Sequence, residues 1–143
     1  NPRDPAATRL LEASHALMRA LSCADACHMF SIDELCGPEV MFFIAKVDSE
    51  TVGCCALANS GDYGEVKSMY VDEGARGAGI AERLLGAVEG EARLLNLPLL
   101  RLETGEKLFA AHRLYQRAGF SRCDAYDGYE EVPTSLFMEK RLA

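Results

Sequence analysis

Several features are missing from this chain of 143 residues, and each absence removes a class of protein. No apolar run approaches the roughly 20 residues that cross a bilayer, so no membrane helix is expected. The start, Asn1-Pro2-Arg3-Asp4, offers neither a basic nor an apolar leader segment, and a cytoplasmic location is the default expectation. There is no Gly/Ser-rich tract, long charge run or internal repeat. A linker is therefore not expected, and a single domain over residues 1–143 is. The six cysteines, at 23, 27, 36, 54, 55 and 123, contain no CxxC pair. Cys23 and Cys27 lie one helical turn apart beside His28, but a zinc site needs about four converging ligands. Free structural thiols and no metal are expected.

What is present suits a globular core, with 49% hydrophobic residues against 26% charged. The net charge of −7 repels phosphate backbones, so nucleic acid is a poor partner. The same charge mildly steers a cationic small substrate inward.

Asp4-Pro5 reads as a helix cap with Pro at the first position, followed by Leu10, Leu11, Leu17, Met18 and Leu21 at helical spacing. Ser31-Ile32-Asp33-Glu34 is a capping box. Residues 40–47 and 51–59 are apolar and separated by Asp48-Ser49-Glu50, which predicts a hairpin. Residues 65–71 predict a third strand, with Glu65, Lys67, Met69 and Val71 on one face and Val66, Ser68 and Tyr70 on the other. A long helix follows, turning Ile80, Leu84, Leu85, Val88, Ala92 and Leu95 inward. Gly86 and Gly90 inside it suggest close approach to the sheet. Residues 99–104 form a buried strand, so strand–helix–strand predicts a parallel pair with a right-handed crossover. A helix over 109–117 ends at Gly119, and residues 120–126 and 136–141 read as a closing antiparallel pair. The class is α+β, with a mixed, mainly antiparallel sheet and a central parallel pair flanked by helices.

The loop Asp72-Glu73-Gly74-Ala75-Arg76-Gly77-Ala78-Gly79 carries the chemistry. Unpaired N–H groups and the helix dipole favour an anion at a helix start, and glycines let the backbone approach it. Arg76 can add a charge-assisted bond. The reading is a pyrophosphate cradle. A P-loop needs Gly-Lys-Ser/Thr, and Ile80-Ala81 follows Gly79 instead. A dinucleotide fingerprint needs a small residue where Glu82 stands.

The remaining pattern, Arg-x-x-Gly-x-Ala at Arg76, Gly79 and Ala81, resembles the coenzyme A loop of the GNAT acetyltransferases. Glu65-Val66-Lys67-Ser68-Met69-Tyr70-Val71 before it looks like the same motif's strand. Leu102-Glu103-Thr104-Gly105 and Leu114-Tyr115-Gln116-Arg117-Ala118-Gly119-Phe120 look like its later elements. The resemblance covers roughly residues 40–142. It is nearest a bacterial subgroup of small N-acetyltransferases, marked also by a Tyr near Tyr129 and a Pro-x-Ser-x-Phe-Met ending at Pro133. It implies a V-shaped opening between two parting parallel strands. Pantetheine of acetyl-CoA would pair there with the backbone of Met69, Tyr70 and Val71. The pyrophosphate would sit on Arg76, Gly77, Ala78, Gly79, Ile80 and Ala81, and an amine acceptor would enter from the other side. Two departures stand out: Leu108 occupies the place of a family Asn that contacts the cofactor, and no strand is obvious before Asp4.

Within that resemblance Tyr115 is the candidate acid for the departing thiolate; the competing role is a core tyrosine. Glu65 is a candidate base, against an edge carboxylate in water. Glu103 could hold a cationic acceptor group or act as the base itself, and a water chain is a third route. Tyr126, Tyr129 and Phe109 are candidates for the acceptor pocket, and His112 is expected at the surface. Cys54 and Cys55 have no histidine partner, which argues against a thiol nucleophile. The expected reaction is direct transfer from acetyl-CoA to a primary amine. The competing function is a CoA-binding sensor with the same fold. A homodimer is compatible with the sequence, which marks no interface.

Overall fold

Alternation of apolar strands and turns folds the chain into a sheet with helices on both faces. In this computed structural model residues 1–21, 30–106, 108–125 and 135–142 are described. The elements are α1 (Pro5–Leu21), α2 (Ile32–Leu35), β1 (Val40–Val47), β2 (Glu50–Asn59), β3 (Gly64–Val71), a 3-10 turn (Glu73–Ala75), α3 (Ile80–Leu94), β4 (Leu99–Gly105), α4 (Phe109–Arg117), β5 (Ser121–Cys123) and β6 (Ser135–Arg141). The strands form one six-stranded sheet in the order β1-β2-β3-β4-β6-β5. Among the described residues only β3 and β4 run parallel; the other neighbours are antiparallel. The α+β class and the central parallel pair expected from the sequence are both present.

The hairpin between β1 and β2 turns at Asp48 and Ser49, with φ of 51° and 72°. Two consecutive left-handed residues match the primed turns that suit the twist of paired strands. β2 is buried on both faces, so it reads as a continuous apolar run rather than an alternating one. On one face Cys55 and Leu57 pack with Leu84, Leu85 and Val88 of α3 and with Leu114 and Tyr115 of α4. On the other, Cys54 and Ala56 pack with Leu10 and Leu11 of α1 and Leu35 of α2. The Ser31–Glu34 capping box is formed in both directions at α2.

Three expectations need correction. Gly86 and Gly90 lie on the solvent side of α3, where a Cβ would meet nothing, so they do not bring the helix to the sheet. Leu95 is 40% exposed, and Leu97, beyond the helix end, takes the inward position. Strand β5 ends at Cys123.

The third strand departs further. Cys54 pairs with Tyr70 but Ala56 pairs with Lys67, so two residues of β3, Ser68 and Met69, stand opposite Cys55. This is a β-bulge, with Ser68 at φ 56°. The Sγ of Cys54 donates to the Ser68 carbonyl at 3.3 Å and pins the kink. An extra residue reverses the alternation beyond it. Tyr70 therefore joins Glu65 and Lys67 on the α1 face and packs beside Cys54. Met69 and Val71 join Val66 on the α3 face. The strict two-residue period predicted the opposite placement for Tyr70.

β3 and β4 pair only at Gly64–Leu100 and Glu65–Arg101, then part. Gly64 makes that closest rung fit: a Cβ there would stand 2.6 Å from Leu57 Cδ1 and 3.0 Å from Leu100 Cδ2. Beyond it the strands form the two arms of a fork.

Candidate active site

The arm of the fork that continues as β3 runs into the glycine loop. Gly77 and Gly79 both adopt left-handed φ, 86° and 77°, a region that strains other residues. Gly79 caps α3 with no side-chain hydrogen bond. The first intrahelical bond runs from Arg83 N–H to the Gly79 carbonyl, at 3.1 Å. The first N–H groups of α3 are thus left for a ligand, at the positive end of the helix dipole. Arg76 folds back along the loop. Its Nε donates to the Val71 carbonyl at 2.9 Å, and its guanidinium lies 5.6 Å over the Tyr70 ring. This bond fixes the side chain and, among the described residues, leaves both terminal nitrogens available for an anion.

These groups converge on one cavity of about 500 Å³. Met69, Tyr70 and Val71 line it from β3, and Arg76, Gly77, Gly79, Ile80 and Ala81 from the loop and helix start. Ala78 does not: it faces a neighbouring hollow on the far side of the loop, together with Arg9 and Asp72. The opposite wall is α4, through Leu108, Ala110, Ala111, Leu114 and Arg117, and Leu17 of α1 closes a third side. Glu82 would repel an anion here, but it pairs at 3.3 Å with Arg117 across the cavity mouth.

Glu65 sits at the last paired rung of the fork, and it is neither at a strand edge nor in water. It is 3% exposed. Its Oε2 lies 3.3 Å from the Lys67 Nζ, and Lys67 is itself buried. The Lys67 ammonium also lies 4.6 Å from the centre of the Phe30 ring. Glu103 stands half-buried on β4, two residues past Arg101, the cross-fork partner of Glu65.

Tyr115 is 5% exposed in the core of α4, edge-on to Phe120. Its neighbour Leu114 lines the cavity, whereas Tyr115 is absent from the wall. Burial, with the Cys55 thiol adding, pushes its phenol above the usual range. Phe109 is 64% exposed and stacks edge-on to His112. His112 is half-buried rather than a surface group: its Nε2 lies 2.7 Å from the Gly105 carbonyl, tying α4 to the end of β4. Burial pushes the Cys54 thiol up to about 12 and Cys55 higher still, so neither is a thiolate at neutral pH. Tyr126 and Tyr129 lie outside the described residues, as do Cys23, Cys27 and His28.

The profile of the Acetyltransferase (GNAT) family matches residues 7–120, which span the fork, the glycine loop and α4. The chain is a member of the GNAT acetyltransferase family. It is 38% identical to an IAA acetyltransferase of Azospirillum brasilense, covering 99% of this chain and 94% of that one. A candidate acyl-CoA N-acyltransferase of Klebsiella pneumoniae superposes with a TM-score of 0.83 at 33% identity, over 99% of this chain and 93% of that one. The fold is shared too by a GNAT acetyltransferase of Elizabethkingia anophelis solved with acetyl-CoA bound. That match has a TM-score of 0.63 and 23% identity, over 73% of this chain and 77% of the other.

This GNAT domain is accordingly an acyltransferase, and its donor set fits a diphosphate: helix-start N–H groups, two left-handed glycines and one pinned guanidinium. Sequence reasoning missed Leu17, Ala75, Glu82, Ala110, Ala111 and Arg117 on the cavity wall. Arg117 carried the one usable signal, since it falls within the segment from Leu114 to Phe120 that resembles the family. The small residues of α4 carried none, because alanine on a helix reads equally as core or surface. Leu108 caps α4 without a side-chain hydrogen bond, so the polar contact of the family Asn is replaced by an apolar wall.

Proposed function

We propose that this GNAT domain transfers the acetyl group of acetyl-CoA to a primary amine of a small molecule, with both substrates bound together. The observation that carries the reading is the convergence of the opened β3 backbone and the α3 start on one cavity. An extended pantetheine chain and a diphosphate need those two features end to end.

In the proposed reaction the amine nitrogen attacks the thioester carbonyl carbon, giving a tetrahedral intermediate. A backbone N–H of Met69, Tyr70 or Val71 stabilises its oxyanion. The C–N bond is kept, the C–S bond breaks, and the thiolate gains a proton. Tyr115 is the proposed donor, since α4 presents its neighbours to the cavity and its phenol stays protonated at neutral pH. Glu65 is the proposed acceptor of the ammonium proton, directly or through water, with Glu103 holding the amine. Ala78 contributes through the loop backbone rather than through the cavity wall. Tyr129 is proposed beside the acceptor on the family resemblance alone.

Acetyl-CoA at a hundredfold excess over its Kd is expected to stabilise the domain by about 2.7 kcal/mol. Thermal melts and calorimetry check this, and steady CoA release with an amine library checks transfer. Binding without release under any amine would favour a sensor. No binding at all would end the reading of acetyl-CoA as the donor.

A further inference from the structure

The cradle described above offers a diphosphate one fixed cation, Arg76, and the start of α3. Coenzyme A carries that diphosphate and a further phosphate on its ribose, and a chain of net charge −7 works against all of them. The cavity wall holds a second cation, Arg117, in the last turn of α4. It also holds a carboxylate, Glu82, in the first turn of α3. The two meet across the mouth, with Arg117 Nη2 at 3.3 Å from Glu82 Oε1.

That pair is loosely built. One terminal nitrogen meets one oxygen, beyond the usual length of a charged hydrogen bond. Among the described residues this is the one partner of the Arg117 side chain, so most of its five N–H donors are free. The two side chains are 61% and 58% exposed. An exposed pair of this kind contributes little to stability, because water screens it and two long side chains must be held still. Each partner also suits its own helix: a carboxylate the start of α3, a guanidinium the end of α4. Opening the pair therefore costs little, and leaves Glu82 in water with Arg117 on the wall.

The balance of charge favours that opening when a phosphate arrives. With the pair closed, the net positive charge of the wall is that of Arg76. With it open, Arg76 and Arg117 face the ligand from opposite sides, one on the loop and one on α4. A guanidinium grips a phosphate through two N–H groups at once, a stronger contact than its single bond to Glu82.

We propose that Arg117 is a second phosphate-binding residue of the cofactor site, and that it reaches the phosphate by leaving Glu82. Glu82 is its resting partner and competes with the cofactor for it. The phosphate belongs to the diphosphate or to the ribose, and the test separates the two. This rests on the acetyl-transfer reading and deepens it.

The test is calorimetry with acetyl-CoA and acetyl-3′-dephospho-CoA on the parent, Arg117→Met, Glu82→Gln and the double variant. Both residues are exposed, so all four chains should fold, and ligand-free thermal melts check this. Arg117→Met should weaken acetyl-CoA binding about tenfold, the lower end for a charged hydrogen bond because the mouth is open to water. Glu82→Gln should tighten binding by roughly two- to fivefold, since the competitor is gone. In the double variant the loss from Arg117→Met should persist relative to Glu82→Gln alone. A loss confined to chains that keep Glu82 would mean that Arg117 only neutralises that carboxylate, and would overturn the proposal. So would an affinity unchanged in Arg117→Met. An equal loss with acetyl-3′-dephospho-CoA assigns Arg117 to the diphosphate, and a loss that vanishes with it assigns Arg117 to the ribose phosphate. A parent that binds no acetyl-CoA would instead fail the acetyl-transfer reading beneath it.

Discussion

Tyr115 faces two demands. At 5% exposure it is packed like a core residue, yet the proposed chemistry asks it to hand over a proton. Burial raises its pKa, which keeps the proton on at neutral pH but makes it a weaker acid than free phenol. Donation then depends on direct contact with the thiolate as the C–S bond breaks. Tyr115→Phe keeps the ring against Phe120 and removes only the hydroxyl. If the hydroxyl is the acid, kcat should fall by about 10²-fold or more, with CoA affinity little changed. Unchanged kcat where chemistry limits turnover would leave Tyr115 a packing residue. Glu65 needs a different separation, because it is both candidate base and half of a buried pair. Glu65→Gln should cost about 3 kcal/mol or more in denaturant melts, by removing the carboxylate that pairs with the buried Lys67 ammonium at 3.3 Å. Adding Lys67→Met should restore most of that stability but not kcat. Recovery of both together would make the pair structural and nothing more.

At the scale of elements, the strand–loop–helix unit was the most legible in the sequence, because glycine, helix start and arginine each act locally. The parallel pair was legible for the same reason: one helix between two apolar runs leaves little choice. The bulge at Ser68 was not legible. A serine in a strand carries no signal for left-handed φ, and the pinning Cys54 thiol is a partner only in three dimensions. The charge pairing of Glu65 and Lys67 was likewise invisible, since alternating charges usually mark a wet face. Gly79→Asp should abolish acetyl-CoA binding by calorimetry, since it brings bulk and like charge to the phosphate cradle. Arg76→Ala should weaken it by roughly 1.5–3 kcal/mol, as for one charged hydrogen bond. The glycines of α3 make the opposite prediction. Nothing surrounds Gly86 or Gly90, so changing either to Ala should stabilise the domain by about 0.5–1 kcal/mol with activity intact. Thermal melts of the single and double variants would show it, and a loss would mean that α3 meets a surface absent from the monomer.

At the scale of the whole molecule, pH acts through the packing of α1. Burial, with the charge of Arg19 second, lowers the His15 imidazole below its ordinary 6.5, and its buried Nε2 has no hydrogen-bond partner among the described residues. The unfolded chain therefore binds this proton more readily than the folded one. The contribution is fully present above pH 6.5 and is lost as pH falls through the lower folded value. His15→Gln should flatten the decline of Tm between roughly pH 7 and 5 relative to the parent; an equal slope in both would exclude His15 as its source. The same α1 face meets odd-numbered residues of β3 before the bulge, Glu65 and Lys67, and the even-numbered Tyr70 after it. A pleated strand has parity: even and odd positions address different sides of the sheet. The Ser68 bulge changes that parity once, so one eight-residue strand carries two addresses in sequence. Deleting Ser68 would remove the change while leaving every other residue in place. Met69 alone would then stand opposite Cys55, Tyr70 would stay on the α1 face and Val71 on the α3 face, and Arg76 would keep the ring it lies over. The bulge is thus the place where this strand can lose a residue without exchanging its faces.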